Sequence, residues 1–138
     1  MTKIKYDLNL MKFITLFESV SQAKVKDALE DEGTLIFIVE ENQIARAIGK
    51  QGSHVKRMEQ MTKKRVKVVE FSNDMGEFIR NYVSPLEVGD IKNDDGTLTI
   101  YGKDSSSKSM IIGREKKKLE LLKSIVGRYF EFKDIRVA

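Results

Sequence analysis

The residues best suited to chemistry form a glycine turn, Gly49-Lys50-Gln51-Gly52, between two short stretches with apolar positions. Because glycine has no Cβ, the backbone at either end of such a turn can approach a partner closely. The turn also opens a helix, whose first N–H groups lack intrahelical acceptors and carry partial positive charge. These donors and the Lys50 ammonium suit the oxygens of a phosphate group. The bare spacing of two glycines arises often by chance, and an ordinary helix–helix turn is the alternative.

Basic charge is concentrated around this turn. The formal net charge of the chain is only +4, but residues 42–71 hold eight basic and two acidic side chains. Clustered basic charge is typical of a polyanion partner, and a solvated basic face is the alternative. For the apolar residues before the turn, the alternatives are the wall of a binding groove and plain core packing. The candidate binding residues are Ile44, Ala45, Ile48, Gly49, Lys50, Gln51, Gly52, Ser53, Lys56 and Arg57.

Other kinds of site find little support in the composition. The 138 residues include no cysteine and one histidine, His54, so disulfides, a thiol nucleophile and a zinc site are excluded. The serines at 105, 106, 107 and 109 have no second histidine to activate one of them. We therefore expect no catalytic residue, no metal and no cofactor, and we interpret His54 as a surface helix residue. With no apolar run long enough for a membrane span, we expect a cytoplasmic protein that does not bind membranes.

Hydrophobic periodicity predicts the elements that position the turn. We predict a helix over 7–20 capped by Asp7, strands over 24–30 and 34–40, a helix on each side of the turn ending near 62, and a strand over 65–71. The same order is then predicted again. It comprises a helix to about 83 capped by Asn73 or Asp74, strands over 86–91 and 97–101, a helix over 105–112 entered through a serine cap, a helix to about 128 and a strand over 129–137.

The repetition is also visible in the residues. Asp31-Glu32-Gly33-Thr34-Leu35 corresponds to Asp94-Asp95-Gly96-Thr97-Leu98, and Ile48-Gly49-Lys50 corresponds to Ile112-Gly113-Arg114. Self-similarity at one spacing indicates an internal repeat. We therefore predict two domains, residues 1–72 and residues 73–138.

A G-x-x-G turn between two short helices, inside an α-β-β-α-α-β order, resembles the type II KH fold. Two such units in one short chain resemble the archaeal NusA-like transcription factors. The resemblance implies an α/β fold in which each domain has a three-stranded sheet covered on one face by helices. It also implies binding of single-stranded RNA and a role in transcription elongation, pausing, termination or antitermination. RNA polymerase stays an open partner, since bacterial members carry a separate polymerase-binding domain that 138 residues do not accommodate.

The second turn, Gly113-Arg114-Glu115-Lys116, departs from the KH pattern because it lacks the second glycine. Lys116 places a Cβ where the pattern needs close backbone approach, and Glu115 is acidic. The phosphate cradle of the second domain is therefore in doubt. We expect RNA contacts at Gly113, Arg114, Lys116 and Lys117, mainly through the charges of the three basic side chains.

Two other functions stay open. One is a KH-type RNA-binding protein of translation or ribosome assembly. The other is an adaptor whose basic face binds an acidic protein.

Overall fold

The protein, seen in a computed structural model that describes residues 8–138, contains the predicted order of elements twice. The first copy consists of α1 (Leu8–Ser21), β1 (Val25–Asp31), β2 (Thr34–Val39), α2 (Ile44–Ile48), α3 (Ser53–Thr62) and β3 (Arg65–Glu70). The second copy consists of α4 (Met75–Val83), β4 (Val88–Asp94), β5 (Thr97–Gly102), α5 (Ser105–Ile112), α6 (Lys117–Val126) and β6 (Asp134–Val137). Asp7, the predicted cap of α1, lies outside the described residues.

The chain divides into two compact units at the boundary between Ser72 and Asn73. We call residues 8–72 the first unit and residues 73–138 the second unit. Each unit contains one helix that precedes its sheet and a pair of helices between its second and third strands.

Both units contain a mixed three-stranded sheet. In the first unit the central strand β2 is antiparallel to β1 and parallel to β3, so that Thr34 lies opposite both Asp31 and Arg65. In the second unit β5 is antiparallel to β4 and parallel to β6. Parallel neighbours need a crossover connection, and the helix pair around each turn forms it. The α/β fold class predicted from the sequence is confirmed.

The core of the first unit holds the two helices around the glycine turn against the sheet. Alternate residues of β2 face this core, as a strand requires, and they are Leu35, Phe37 and Val39. The rings of Phe17 from α1 and Phe37 stack with centroids 4.4 Å apart. Ala47 of α2 and Met58 of α3 are fully buried in the same cluster. Each helix beside the turn is therefore anchored by a buried residue.

Aromatic packing in the second unit shortens the last strand. Phe78 is fully buried, and its ring centroid lies 5.8 Å from that of Tyr129 and 6.0 Å from that of Phe130. The N–H groups of Tyr129 and Phe130 both donate to the carbonyl of Val126, so the chain continues to wind after α6. The predicted strand over 129–137 was wrong in its first half, and β6 begins at Asp134.

The helix α5 begins at an aspartate. A carboxylate oxygen of Asp104 accepts from the Ser107 N–H at 2.7 Å, so the predicted serine cap was wrong. Asp104 has the extended backbone of a cap, with φ −154° and ψ 177°, whereas Ser105 is already the first helical residue. The prediction for α4 named Asp74 among its candidates, and the Asp74 carboxylate does accept from the Glu77 N–H at 3.1 Å.

Candidate nucleic-acid interface

The first glycine turn connects α2 to α3 through residues with positive φ. Gly49 has φ 77° and ψ 170°, Gln51 has φ 55°, and Gly52 has φ 73°. The Gly49 N–H donates to the carbonyl of Ala45 at 3.0 Å, and the Gly52 N–H donates back to the carbonyl of Gly49 at 3.1 Å. The turn is therefore closed by its own backbone hydrogen bonds.

Donors and positive charge of this turn are available to a partner. The backbone N–H groups of Lys50 and Gln51 have no acceptor within residues 8–138, and both side chains are exposed, as is Ser53. Lys50, Lys56 and Arg57 are exposed and form no ion pair with any residue in that range. The arrangement offers an anion two backbone donors and nearby cations.

The two glycines of the turn have different surroundings. A Cβ built on Gly49 would lie 2.7 Å from Cγ of His54 and 2.8 Å from Oγ of Ser53, so a side chain does not fit there. A Cβ built on Gly52 would meet only Cε of Lys56, at 4.0 Å. The packing of the turn itself therefore requires the first glycine. The second leaves the backbone open to close approach from outside.

The second turn has the same backbone conformation without a second glycine. The φ angles are 75° at Gly113, 55° at Glu115 and 63° at Lys116. The Gly113 N–H donates to the carbonyl of Ser109 at 2.9 Å, and the Lys116 N–H donates to the carbonyl of Gly113 at 3.2 Å. The backbone path of the turn is therefore kept without the second glycine. The surface of the turn changes, because the Cβ of Lys116 occupies the position that is open at Gly52 in the first turn.

A family model described as KH domain matches residues 10–95, which include the whole first turn and more than half of the chain. The chain belongs to the KH domain family. The second turn lies beyond the matched range.

Archaeal proteins are similar to this KH protein over most of its length. A "Probable transcription termination protein NusA" of Methanococcus vannielii is 32% identical, covering 98% of this chain and 80% of the relative. A protein of the same description from Thermoplasma acidophilum is 27% identical, covering 99% and 97% of the two chains. The crystal structure of APE1850 has the same fold, with a TM-score of 0.70, 22% identity, and coverage of 96% of this chain and all of that chain.

The second turn of the KH protein combines exposed cations with one carboxylate. Arg114, Lys116 and Lys117 are exposed and form no ion pair with another residue that the structure describes, and Glu115 lies exposed among them. Farther along α6, the ammonium of Lys123 is engaged inside the unit. It lies 3.0 Å from a carboxylate oxygen of Asp134 and 3.6 Å from one of Glu120. The hydrogen bond to Asp134 raises the pKa of Lys123 and lowers that of Asp134.

The apolar residues before the first KH turn are divided between core and surface. Ile44 is half-buried and packs against the core of the first unit. Ala45 is exposed, and Ile48 is 37% exposed. Ala47, which the sequence analysis did not single out, is the residue of α2 that is fully buried. Ala45 and Ile48 are thus the apolar residues available to a partner on this helix.

His54 has a structural contact that the sequence analysis missed. Its Nδ1 lies 2.8 Å from the carbonyl oxygen of Arg46, eight residues earlier in the chain. Since a carbonyl only accepts, Nδ1–H is the donor. The only feature of the sequence that could have indicated this bond is a histidine two residues after a glycine turn. That arrangement is too common to predict a bond across the turn.

The described chain contains neither a candidate metal cluster nor a helix that could span a membrane. Within residues 8–138 no group of three His, Cys, Asp or Glu side chains could hold a metal ion. None of the helices in that range is both long and apolar enough to cross a membrane.

Proposed function

We propose that this KH protein binds single-stranded RNA and acts as a transcription factor in elongation, pausing, termination or antitermination. The observation that carries the proposal is the first turn, where backbone donors without an acceptor in residues 8–138, exposed cations and an open glycine coincide. KH domains clamp a single-stranded backbone of about four nucleotides with such a loop. The transcriptional role rests on the archaeal relatives described as transcription termination proteins.

In the proposed complex, the N–H groups of Lys50 and Gln51 donate to phosphate oxygens, and the Lys50 ammonium adds charge. Gly52 lets the sugar-phosphate chain lie against the backbone, because the space beside it is open. The Ser53 hydroxyl is a further donor at the start of α3. The exposed apolar atoms of Ala45 and Ile48, with Ile44 behind them, form the side of the groove nearest the bases. Lys56 and Arg57 extend the positive surface along α3.

We further propose that the chain consists of two KH domains, residues 1–72, which contain the first unit, and residues 73–138, which are the second unit. Gly113, Arg114, Lys116 and Lys117 of the second domain contact RNA, mainly through the charges of the three basic side chains. The Cβ of Lys116 keeps the nucleotide chain farther from the backbone, and the Glu115 carboxylate repels phosphate. RNA polymerase or its transcription complex is the proposed protein partner, in the cytoplasm, and no membrane, metal, cofactor or catalytic step is part of the function.

The test compares binding of matched single-stranded and double-stranded RNA by the wild-type chain and by the double variant Lys50→Asp/Gln51→Asp. We expect preference for the single strand, because splayed bases fit a groove that an A-form duplex cannot enter. The double variant places two carboxylates at the phosphate position, so its affinity should fall at least several-fold while its thermal unfolding stays near wild type.

The control is Asn9→Asp/Lys12→Asp, which makes the same change in charge at exposed positions of α1. It should bind RNA nearly as well as wild type. Tighter binding of duplex, or unchanged affinity of the Lys50/Gln51 variant, would remove the first turn as the RNA site.

The transcriptional part is tested by affinity purification from cells, with and without nuclease treatment. Copurification of RNA polymerase supports it. Copurification of ribosomes instead favours a role in translation or ribosome assembly, and an acidic protein retained after nuclease treatment favours an adaptor.

A further inference from the structure

The end of α2 leaves a carbonyl without a helical partner. The Gly49 N–H closes the last helical bond, to Ala45. In a continuing helix the Lys50 N–H would donate to Arg46, but the chain leaves the helical path at Gly49, where φ is 77°. The Nδ1–H of His54 supplies the missing donor to the Arg46 carbonyl, at 2.8 Å. A side chain of α3 thus completes the end of α2 across the turn.

The same imidazole lies against Gly49. A Cβ built there would be 2.7 Å from both Cγ and Nδ1 of His54, a distance at which no side chain fits. One ring therefore contacts the first residue of the turn and bonds to the helix before it. This links α2, the turn and α3 at a point next to Lys50 and Gln51, whose N–H groups have no partner in residues 8–138.

We propose that His54 is a positioning residue that holds the first KH turn in its RNA-binding conformation. The inference rests on the proposed function, because it assumes that the turn holds phosphate. A turn that is already ordered loses less conformational freedom when a ligand binds, and this raises affinity without any added interaction. The bond needs a proton on Nδ1, which both the protonated ring and one neutral tautomer carry.

The second unit fills the same place without an imidazole. Lys118 follows Gly113 by five residues, as His54 follows Gly49, and a Cβ built on Gly113 would lie 2.5 Å from Cγ of Lys118. An aliphatic stem thus contacts the first glycine in this turn. Lys118→Ala serves as the matched control, since it removes that stem without touching the bond in the first unit.

The experiment measures single-stranded RNA affinity of the full chain for His54→Ala, His54→Asn and His54→Gln at several salt concentrations. Loss of one hydrogen bond should lower the affinity of His54→Ala by about threefold to tenfold. The Asn amide places an N–H where Nδ1 stood and should restore most of the affinity. The Gln amide corresponds to Nε2 instead and should bind as weakly as His54→Ala. None of the three should change the slope of log affinity against log salt, because the cations that neutralise phosphate stay in place.

Three results would overturn the inference. The first is that His54→Ala binds RNA as tightly as wild type while Lys50→Asp/Gln51→Asp no longer binds. This result leaves the proposed function intact and removes the positioning role of His54. Rescue by Gln and not by Asn assigns the effect to Nε2, and hence to direct binding of RNA. A slope reduced by about 0.7 in His54→Ala indicates that the imidazole itself neutralises a phosphate. If His54→Ala unfolds, the comparison of Asn with Gln still decides between these outcomes. Retained binding by the Lys50/Gln51 variant contradicts the proposed function itself, whatever His54 does.

Discussion

The glycines of the first turn share a positive φ but differ in what a side chain would touch. At Gly49 an alanine methyl would collide with the His54 ring and the Ser53 hydroxyl. At Gly52 it would meet only the end of the Lys56 side chain, at 4.0 Å. The second unit supports this difference, since it keeps Gly113 at the first position and accommodates Lys116 at the second with φ 63°.

We expect Gly49→Ala to lower the free energy of unfolding more than Gly52→Ala does. The difference between the two variants should be about 1–3 kcal/mol. The reason is that Gly49 combines the steric conflict with φ 77° and ψ 170°, a region populated almost only by glycine, whereas Gly52 has an ordinary left-handed backbone with φ 73° and ψ 20°. Gly52→Ala should cost about 1–2 kcal/mol and should weaken RNA binding, because its methyl would lie where we propose that the nucleotide chain approaches. Chemical denaturation and RNA titration measure the two effects. Equal destabilisation, with unchanged RNA affinity of Gly52→Ala, would contradict this account.

Among the helices, α5 depends on a carboxylate at its first turn. The Ser107 N–H donates to Asp104, and this hydrogen bond is the main cause of the lowered pKa of that carboxyl. A carboxyl whose pKa is lower in the folded state stabilises the fold above its unfolded pKa. That contribution disappears as pH falls through the folded pKa. The cap should therefore weaken only in acid.

We expect Asp104→Ala to lower the melting temperature by a few degrees at neutral pH, and Ser105→Ala to leave it nearly unchanged. As pH falls through the lowered pKa of Asp104, the difference between wild type and Asp104→Ala should shrink. Asp104→Asn keeps an uncharged cap, so its difference from Asp104→Ala should not depend on pH in this way. Melting curves of the four proteins across acidic pH decide. A larger fall in melting temperature for Ser105→Ala than for Asp104→Ala would show that Ser105, rather than Asp104, caps α5.

Across the entire chain, the turns of the two units differ in the chemistry that they present at the surface. The first turn combines open backbone with exposed cations, whereas the second adds the Cβ of Lys116 and the carboxylate of Glu115 to the same backbone path. Close backbone approach can hold a strand where its bases are read, while exposed cations attract any phosphate chain. Sequence preference should therefore reside in the first unit, and salt-dependent affinity should come from both.

We expect Lys116→Ala/Lys117→Ala to weaken binding of all single-stranded RNAs about equally. The salt slope of log affinity should fall by roughly 0.7 for each phosphate that is no longer neutralised. Lys103→Ala/Lys133→Ala is the control, because ion pairs with Glu87 and Asp95 already engage these two cations. This control should change the salt slope of log affinity less than Lys116→Ala/Lys117→Ala does. Titrations of several RNA sequences across salt concentrations measure both quantities. Loss of sequence preference in the Lys116/Lys117 variant would make the second turn a true nucleotide clamp.

The order of helices and strands, the repeat and the location of the first turn were predictable from residue type and spacing. These features are local, because periodic apolar residues and Asp-Gly or Gly-x-x-Gly turns act over a few residues. A cap of α4 at Asn73 or Asp74 was predictable for the same reason, since a cap and its first helical turn are neighbours in the chain, and Asp74 is the residue that caps it. The proposal that the turn holds phosphate also starts from its glycines and its lysine.

Which side chains meet across these elements became clear only from the folded chain. Tyr129 and Phe130 are good strand residues, yet they pack on Phe78, some fifty residues earlier, and the last strand starts later. Lys116 adopts a positive φ that residue type disfavours, because the turn is closed by hydrogen bonds at both ends. The bond from His54 to Arg46 exists because the turn brings two helices together. Such pairings depend on the direction of side chains in space, which residue type and spacing do not specify.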